Sequence, residues 1–262
     1  MSAGSISLSV VIPARNETGS IRETVSRLAE TLRREGIPHQ IVVVDDGSTD
    51  DTGDVLRRLS AVERNLSYVY NAGPHGFGLA VRVGLRHAVG DAVAIMMADG
   101  SDDPADLVRY YYKLLEGYDC VFGSRFIRGG GASGYPAHKL IINRLANWFI
   151  RMLFGLRYND VTNAFKCYRR AAIEGMQPLI SPHFNLTVEM PLKAIIRGYS
   201  YAVVPIRWTN RATGVSKLKL QEMGSRYLFI VLYLWLEKRF SRGDYRRDAE
   251  PEARERVGAR NV

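Results

Sequence analysis

Residues 40–52 read QIVVVDDGSTDDT, and this stretch decides how the chain folds. Ile41–Val44 are apolar and β-branched without polar alternation, the pattern of a strand covered on both faces. Asp45 and Asp46 end the run and Gly47 marks a turn. Ser48 followed three residues later by Asp51 is a variant of the signature that starts a helix. A turn and a cap account for Gly47, Ser48 and Asp51, but not for two carboxylates at a strand end. One of them, facing a crevice, can accept hydrogen bonds from the N–H edge of a nucleobase.

The same succession repeats along the first half of the chain. ISLSVVIP (6–13), LSYVY (66–70), DAVAIMM (91–97) and DCVFG (119–123) are further short strand-like runs. Segments with helical apolar spacing intervene, such as Ile21, Val25, Leu28, Ala29 and Leu32, or Val55, Leu56, Leu59 and Val62. This alternation predicts an α/β fold, a mostly parallel sheet with helices on both faces. Ligands bind such sheets at the carboxyl ends of the strands. Asp45, Asp46 and Asp99 fall at such ends and are expected to line one crevice. In MMADGSDDP (96–104), Met97 stands where a second carboxylate would complete an Asp-x-Asp pair with Asp99.

The formal net charge of +9 is unevenly spread. Residues 1–124 carry 12 Lys and Arg against 17 Asp and Glu, whereas residues 125–240 carry 18 against 5, a net of +13. Such a field suits a phosphate-bearing partner. Long aliphatic runs interleave with the basic residues, which fits lipid better than nucleic acid. HKLIINRLANWFIRMLFG (138–155) is helix-like, with one narrow polar stripe of Asn143, Arg144, Asn147 and Arg151. The segment 138–154 is therefore a candidate interface helix. A second, 218–240, has an apolar run of ten residues from Tyr227 to Leu236. That is too short for a bilayer, which needs about 20 residues, but its Tyr and Trp with Arg226, Lys238 and Arg239 at the edges suit interfacial anchoring. Residues 241–262 are mixed in charge and read as a disordered tail.

Cys120 and Cys167 are too few for a disulfide framework, and the N-terminus lacks the features of a signal peptide, so a cytosolic location is expected. HGFGLAV (75–81) is a poor dinucleotide fingerprint, because Val81 stands at the third Gly position; its glycines are expected to let a loop approach a ligand. Asn185 in NLT matches a glycosylation acceptor that a cytosolic chain would not use.

Taken in order, VVIPARNE, VVVDDGSTDDT, GFGLAVRVGL, MMADGSDDP, GSRF, DVTNAFKCYRR, NLTVEM and NRATGVSKL resemble the family-two glycosyltransferases, most of all the dolichol-phosphate mannose synthase group. The resemblance extends to about residue 240. It implies a GT-A fold over 1–217, a nucleoside-diphosphate sugar donor, a divalent metal (Mg or Mn) and inversion at the anomeric carbon. Pro13, Arg15, Glu17, Val44 and Asp46 fall where the group holds the base and ribose. Asp99 matches the metal-binding Asp, with Ala98 before it, and Ser101 a second ligand position. Met97 departs from the first Asp of the pair. Arg125, Arg211 and Lys217 match cationic positions around the diphosphate and, with Asp99, form the implied catalytic set. The basic loop after Gly123 is expected to act as a lid.

A lipid phosphate is already an anion, so such an acceptor needs no general base, only cations and an apolar surface. His138, Lys139 and Arg144 are candidates for its phosphate. The expected activity is transfer of a sugar to a polyprenyl phosphate by a protein peripherally bound at the cytosolic membrane face. The alternatives are a glycan or glycolipid acceptor, or a non-catalytic sugar-nucleotide binder supporting a membrane partner. A membrane-protein partner or a homo-oligomer stays open.

Overall fold

The computed structural model describes residues 5–210 and 220–247. Strand β1 (Leu8–Ala14), buried along its whole length, sits inside a seven-stranded sheet. The chain continues through α1 (Ile21–Arg34), β2 (His39–Asp45), α2 (Thr52–Val62), β3 (Leu66–Tyr70), α3 (Phe77–His87), β4 (Ala92–Ile95), α4 (Pro104–Leu115) and β5 (Cys120–Ser124). After this come β6 (Gly131–Ser133), α5 (Ala137–Phe154), β7 (Lys166–Arg169), α6 (Arg170–Gly175), α7 (Leu186–Ile196), β8 (Tyr201–Pro205), β9 (Arg207–Thr209) and α8 (Leu220–Phe240).

The strand order is β3-β2-β1-β4-β7-β5-β8, and β6 pairs with β9 in a separate two-stranded ribbon. In the large sheet β7 alone runs against its neighbours, β4 and β5. The expected mostly parallel α/β architecture is present. The run Ile41–Val44 shows why alternation is missing from the sequence. Ile41 and Val43 enter the core under α1, α2 and α4, while Val42 and Val44 enter the core under α3 and α5–α8. Successive side chains point to opposite faces, and here both faces are covered.

Several local expectations need correction. The Ser48–Asp51 capping pair does not form, and Asp50 instead accepts from the Thr52 amide and hydroxyl at the start of α2. Val62 is 79% exposed, because α2 ends there and its inward face stops at Leu59. β4 ends at Ile95, so Met96 and Met97 belong to the loop. Gly76 and Gly78 do not make room for a ligand: a side chain at Gly78 would lie 2.9 Å from the His183 carbonyl oxygen, so these glycines let α3 begin against residues 181–183. Part of the expected disordered tail is packed, since the Arg247 amide donates to the Arg197 carbonyl at 2.9 Å and its guanidinium pairs with Asp119 at 2.8 Å. Residues 248–262 lie outside the described residues.

Helix α5 corrects the expected amphipathic sense. Asn147, part of the polar stripe, is buried, and both Asn143 and Asn147 donate to the Thr162 hydroxyl, at 2.9 and 3.0 Å. Ile141, Leu145, Trp148 and Met152 are 58–67% exposed. The helix thus turns the two asparagines of its polar stripe inward, leaves Arg144 exposed, and turns much of its apolar surface outward. Gly155 ends it in the left-handed conformation, φ 65°, a C-terminal stop that glycine adopts without steric cost. Helix α8 packs chiefly on α7 and also touches α5, with Ile230, Val231 and Leu234 buried in the shared core, while Phe229, Leu232 and Leu236 are 62%, 43% and 50% exposed. Among the described residues, no helix is long and apolar enough to cross a membrane.

On α7, the fully buried Glu189 and Lys193 form an ion pair at 2.8 Å. The Glu189 carboxylate also accepts from the Ile180 and Ser181 amides, at 2.8 and 2.7 Å, and so shapes the preceding loop. Glu189→Gln leaves the Lys193 charge without its counter-ion and is expected to cost about 3–5 kcal/mol. A lower midpoint in denaturant unfolding at unchanged slope is the predicted result, and an unchanged midpoint would contradict it.

Candidate active site

The carboxyl ends of β1, β2 and β4 bring the acidic residues to one end of the sheet. Pro13 and Val44 are buried register partners on adjacent strands, and Ala14 pairs with Asp45. Beyond the strand ends, the loop carrying Arg15 and Glu17 is tied to the next one. The Thr49 amide donates to the Asn16 side chain at 2.7 Å, and the Glu17 amide to the Thr52 hydroxyl at 2.9 Å. Arg15 is exposed, whereas Glu17 is half-buried and its carboxylate accepts from the Ser20 hydroxyl at 3.1 Å.

Asp45 and Asp46 have different surroundings. Asp45 accepts from the Ser48 amide at 2.9 Å and so shapes the turn. Asp46 accepts from the Asn71 side chain at 2.7 Å and the Gly76 amide at 2.8 Å, with a His75 ring nitrogen 3.3 Å away. Gly47 has φ 70°, and His75 lies against it so closely that a side chain there would collide with the ring. The sequence reading of Asp46 did not foresee this internal network. A nucleobase reaching Asp46 would share or replace these donors.

In the loop after β4, Asp99 is 9% exposed and accepts from the Ser101 amide at 3.1 Å. The Ser101 hydroxyl is buried and has no hydrogen-bond partner among the described residues. A buried carboxylate with an unpartnered hydroxyl two residues on offers hard oxygen donors of the kind Mg²⁺ or Mn²⁺ takes. Among the described residues, no group of three or more His, Cys, Asp or Glu could hold a metal. These donors therefore fit a divalent ion whose shell is completed by substrate oxygens and water.

Asp102 replaces none of Met97's missing carboxylate geometry. Its side chain turns back to accept from the Met97 amide at 2.9 Å, and burial, opposed by that bond and aided by the Asp99 charge, brings its carboxyl up to about 7. Asp103 caps α4 through the Ala105 amide at 3.0 Å, as expected from its position before Pro104.

Arg125 is not a loose cation. Its side chain makes a bidentate pair with Asp160 at 2.8 and 2.7 Å, both groups buried, and its amide donates to the same carboxylate at 2.9 Å. The rings of Phe126, Tyr135 and Trp208 lie 5.1, 5.6 and 6.0 Å from the guanidinium carbon. Arg144 stacks on Phe126 at 4.7 Å, which brings it into the same neighbourhood, while His138 and Lys139 occupy the first turn of α5. The Thr209 amide donates to the Ser101 carbonyl at 3.2 Å, joining β9 to the metal-type loop. Arg211 and Lys217 lie outside the described residues, whereas the loop after Gly123, expected to act as a lid, is described and carries β6, which pairs with β9.

Asp160 was missed as a site residue, although it opens the quoted DVTNAFK motif. A lone Asp beyond a helix gives no local sign of a partner 35 residues earlier. The strand that follows, β7, opens with Lys166, whose buried ammonium donates to the carbonyls of Val161, Asn163 and Thr187. Burial pulls this amine down to about 7, and the Asp160 charge opposes that shift.

The glycosyl transferase family 2 model matches residues 9–175. The chain belongs to glycosyl transferase family 2. It is 31% identical over 215 residues to a polyprenol monophosphomannose synthase of Mycolicibacterium smegmatis, covering 80% of each chain. It is 30% identical over 217 residues to an undecaprenyl-phosphate mannosyltransferase of Micrococcus luteus, covering 79% of this chain and 86% of that one. This family 2 enzyme is accordingly a hexosyltransferase. Its GT-A fold is matched by glucosyl-3-phosphoglycerate synthase of Mycobacterium tuberculosis with phosphoglyceric acid, at TM-score 0.66 and 20% identity, covering 89% of this chain and 80% of that one. The same synthase, solved with Mn²⁺, uridine diphosphate and glucosyl-3-phosphoglycerate, matches at TM-score 0.63 with the same identity and coverage.

Asp160→Asn removes the charge that holds Arg125. It is expected to cost about 3 kcal/mol of stability and, because the guanidinium loses its fixed orientation, at least about tenfold in turnover. Denaturant unfolding and nucleotide release read the two effects separately. Wild-type turnover in a folded variant would show that the pair has no part in the reaction.

Proposed function

We propose that this enzyme transfers a hexose, with inversion, from a nucleoside-diphosphate sugar to a polyprenyl phosphate at the cytosolic face of a membrane. The observation that carries this reading is the combination of the Asp99–Ser101–Arg125 crevice with two neighbouring helices, α5 and α8, that present apolar side chains outward. The mannosyl transferases named above act on polyprenol or undecaprenyl phosphates, which supports an acceptor of the same class.

An acceptor phosphate oxygen attacks the anomeric carbon on the face opposite the leaving group. The bond from that carbon to the diphosphate oxygen breaks, and the nucleoside diphosphate departs with the electron pair. No proton has to be removed from the acceptor, so no side chain is assigned as a base. Asp99 and Ser101 would hold a divalent ion, which supplies positive charge to the leaving diphosphate. Pro13, Arg15, Glu17, Val44 and Asp46 surround the base and ribose, with Met97 and Ala98 beside the donor. Arg125 offers fixed N–H donors, and because Asp160 neutralises its charge, Arg211 and Lys217 are left as the cations that meet the growing charge on the diphosphate. His138, Lys139 and Arg144 receive the lipid phosphate.

Asp99→Asn is expected to nearly abolish turnover, because the loop loses its direct carboxylate ligand. Met97→Asp should leave an active enzyme with equal or tighter metal dependence. Nucleotide release is measured against Mg²⁺ and Mn²⁺ concentration with a short polyprenyl phosphate present. Full activity in Asp99→Asn would sink the metal assignment, and release that ignores the lipid phosphate would sink the acceptor.

Replacing Trp148 and Phe149 together with Ser should weaken flotation with anionic vesicles about tenfold or more, since two exposed aromatic side chains no longer enter the interface. Nucleotide affinity should be unchanged. Equal loss of both would show that α5 supports the catalytic core and not a lipid contact.

A further inference from the structure

Beside the crevice, on the α3, α7 and α8 side, lies an open cavity of about 460 Å³. Ile180, Ser181, Asn185 and Phe229 line it, together with the His183 ring and the positively charged Arg226. It sits at the catalytic end of the sheet, because the loop 181–183 packs on the start of α3 and Asn185 directly precedes α7. Two of its side chains are almost wholly buried, Ser181 at 1% and Asn185 at 3% exposure. Neither the Ser181 Oγ nor the Asn185 Oδ1 has a hydrogen-bond partner among the described residues.

Buried polar atoms are normally paired, so two unpaired ones on one cavity wall call for a ligand. The loop geometry explains why they stay available. Glu189 takes the Ile180 and Ser181 amides and fixes the backbone, leaving the Ser181 hydroxyl outside that network. Asn185 precedes α7 without a side-chain capping bond, and the amides of Leu186, Thr187 and Val188 already donate to the carbonyls of His183, Phe184 and Asn185. The helix start is thus satisfied without the Asn185 side chain.

We propose that this cavity binds the headgroup of an anionic glycerophospholipid bearing free hydroxyls, at a place distinct from the acceptor positions on α5. The inference rests on the reading of α5 and α8 as lipid-facing. Arg226 suits phosphate oxygens, and the Ser181 hydroxyl, like the Asn185 amide oxygen, suits the free hydroxyls of the headgroup. An amide oxygen such as Asn185 Oδ1 needs a donor, which a fully ionised phosphate lacks and a glycerol hydroxyl supplies. The apolar part of the lipid has a continuous path from the cavity edge, since Phe229, Leu232 and Leu236 follow at helical spacing along the exposed face of α8. A bound headgroup there would anchor the enzyme with its crevice turned toward the membrane.

The test is flotation of the full chain with phosphatidylcholine vesicles containing either phosphatidylglycerol or phosphatidic acid at matched surface charge. Wild type should prefer phosphatidylglycerol, and Ser181→Ala and Asn185→Leu should each weaken that binding about five- to tenfold, the worth of one hydrogen bond to a charged or hydroxylated group. Binding to the phosphatidic acid vesicles should be unchanged. Ser181→Ala is the smaller change and serves if Asn185→Leu does not fold. Variants that keep the preference, or a wild type that does not distinguish the two lipids, overturn the headgroup site while leaving the lipid-facing reading intact. Displacement by free glycerol phosphate without any vesicle preference overturns the lipid as its source. Absence of binding to every vesicle overturns both readings.

Discussion

The segment from Tyr158 to Asn163 is the joint on which the candidate-site end of the sheet depends. Asp160 clamps Arg125 at the end of β5, Tyr158 donates to the Gly123 carbonyl at 2.9 Å, and Thr162 receives the two asparagines of α5. One short stretch thus fixes a cation beside the crevice and the orientation of the helix next to it. Removing two charges from water is costly, and the pair is worth having only when its geometry is well satisfied. Here the Arg125 amide adds a third bond to the same carboxylate, which raises the cost of any rearrangement.

That joint also explains the unusual polarity of α5. An amphipathic helix on a globular domain usually buries its apolar stripe. This one buries amides, because Thr162 offers a partner for them, and it retains only Ile150 and Phe154 as fully apolar anchors. Trp148 and Met152 are left outside, beside the exposed residues of α8. A contiguous apolar surface of this kind is uncommon on a protein that faces only water, and it signals an interaction surface.

Much of the fold was legible because the covered strands and the helical periodicity are local signals. Ile41–Val44 announced a strand buried on both faces, and the sheet around it agrees with the α/β reading. The reversal of β7 was not legible, since KCYR carries no mark of direction. In the site, Asp45, Asp46 and Asp99 could be placed at strand ends from sequence alone. Their partners could not: Asn71, His75 and Gly76 reach Asp46 across a turn, and Asp160 reaches Arg125 across α5. The polar stripe of α5 was visible, but its inward direction depends on Thr162, and periodicity alone cannot say which side of a helix meets the protein.

Met97 shows how a missing ligand is accommodated. A carboxylate at that position would stand near Asp99 and Asp102, and three acids in one buried loop would repel one another unless an ion were present. With Met97 the loop closes on itself instead, because the Met97 amide donates to Asp102 and burial holds the Asp102 carboxyl near neutrality, up to about 7. The loop therefore keeps a defined shape with one buried carboxylate, Asp99, beside one hydroxyl, Ser101, that has no partner among the described residues. On the proposed metal assignment, such a site would be weaker for a free ion than a paired-carboxylate site, and the ion's affinity would depend more on the phosphate oxygens that arrive with the donor. Metal and nucleotide binding would then be coupled, because each brings ligands or charge the other needs and neither alone would complete the coordination shell.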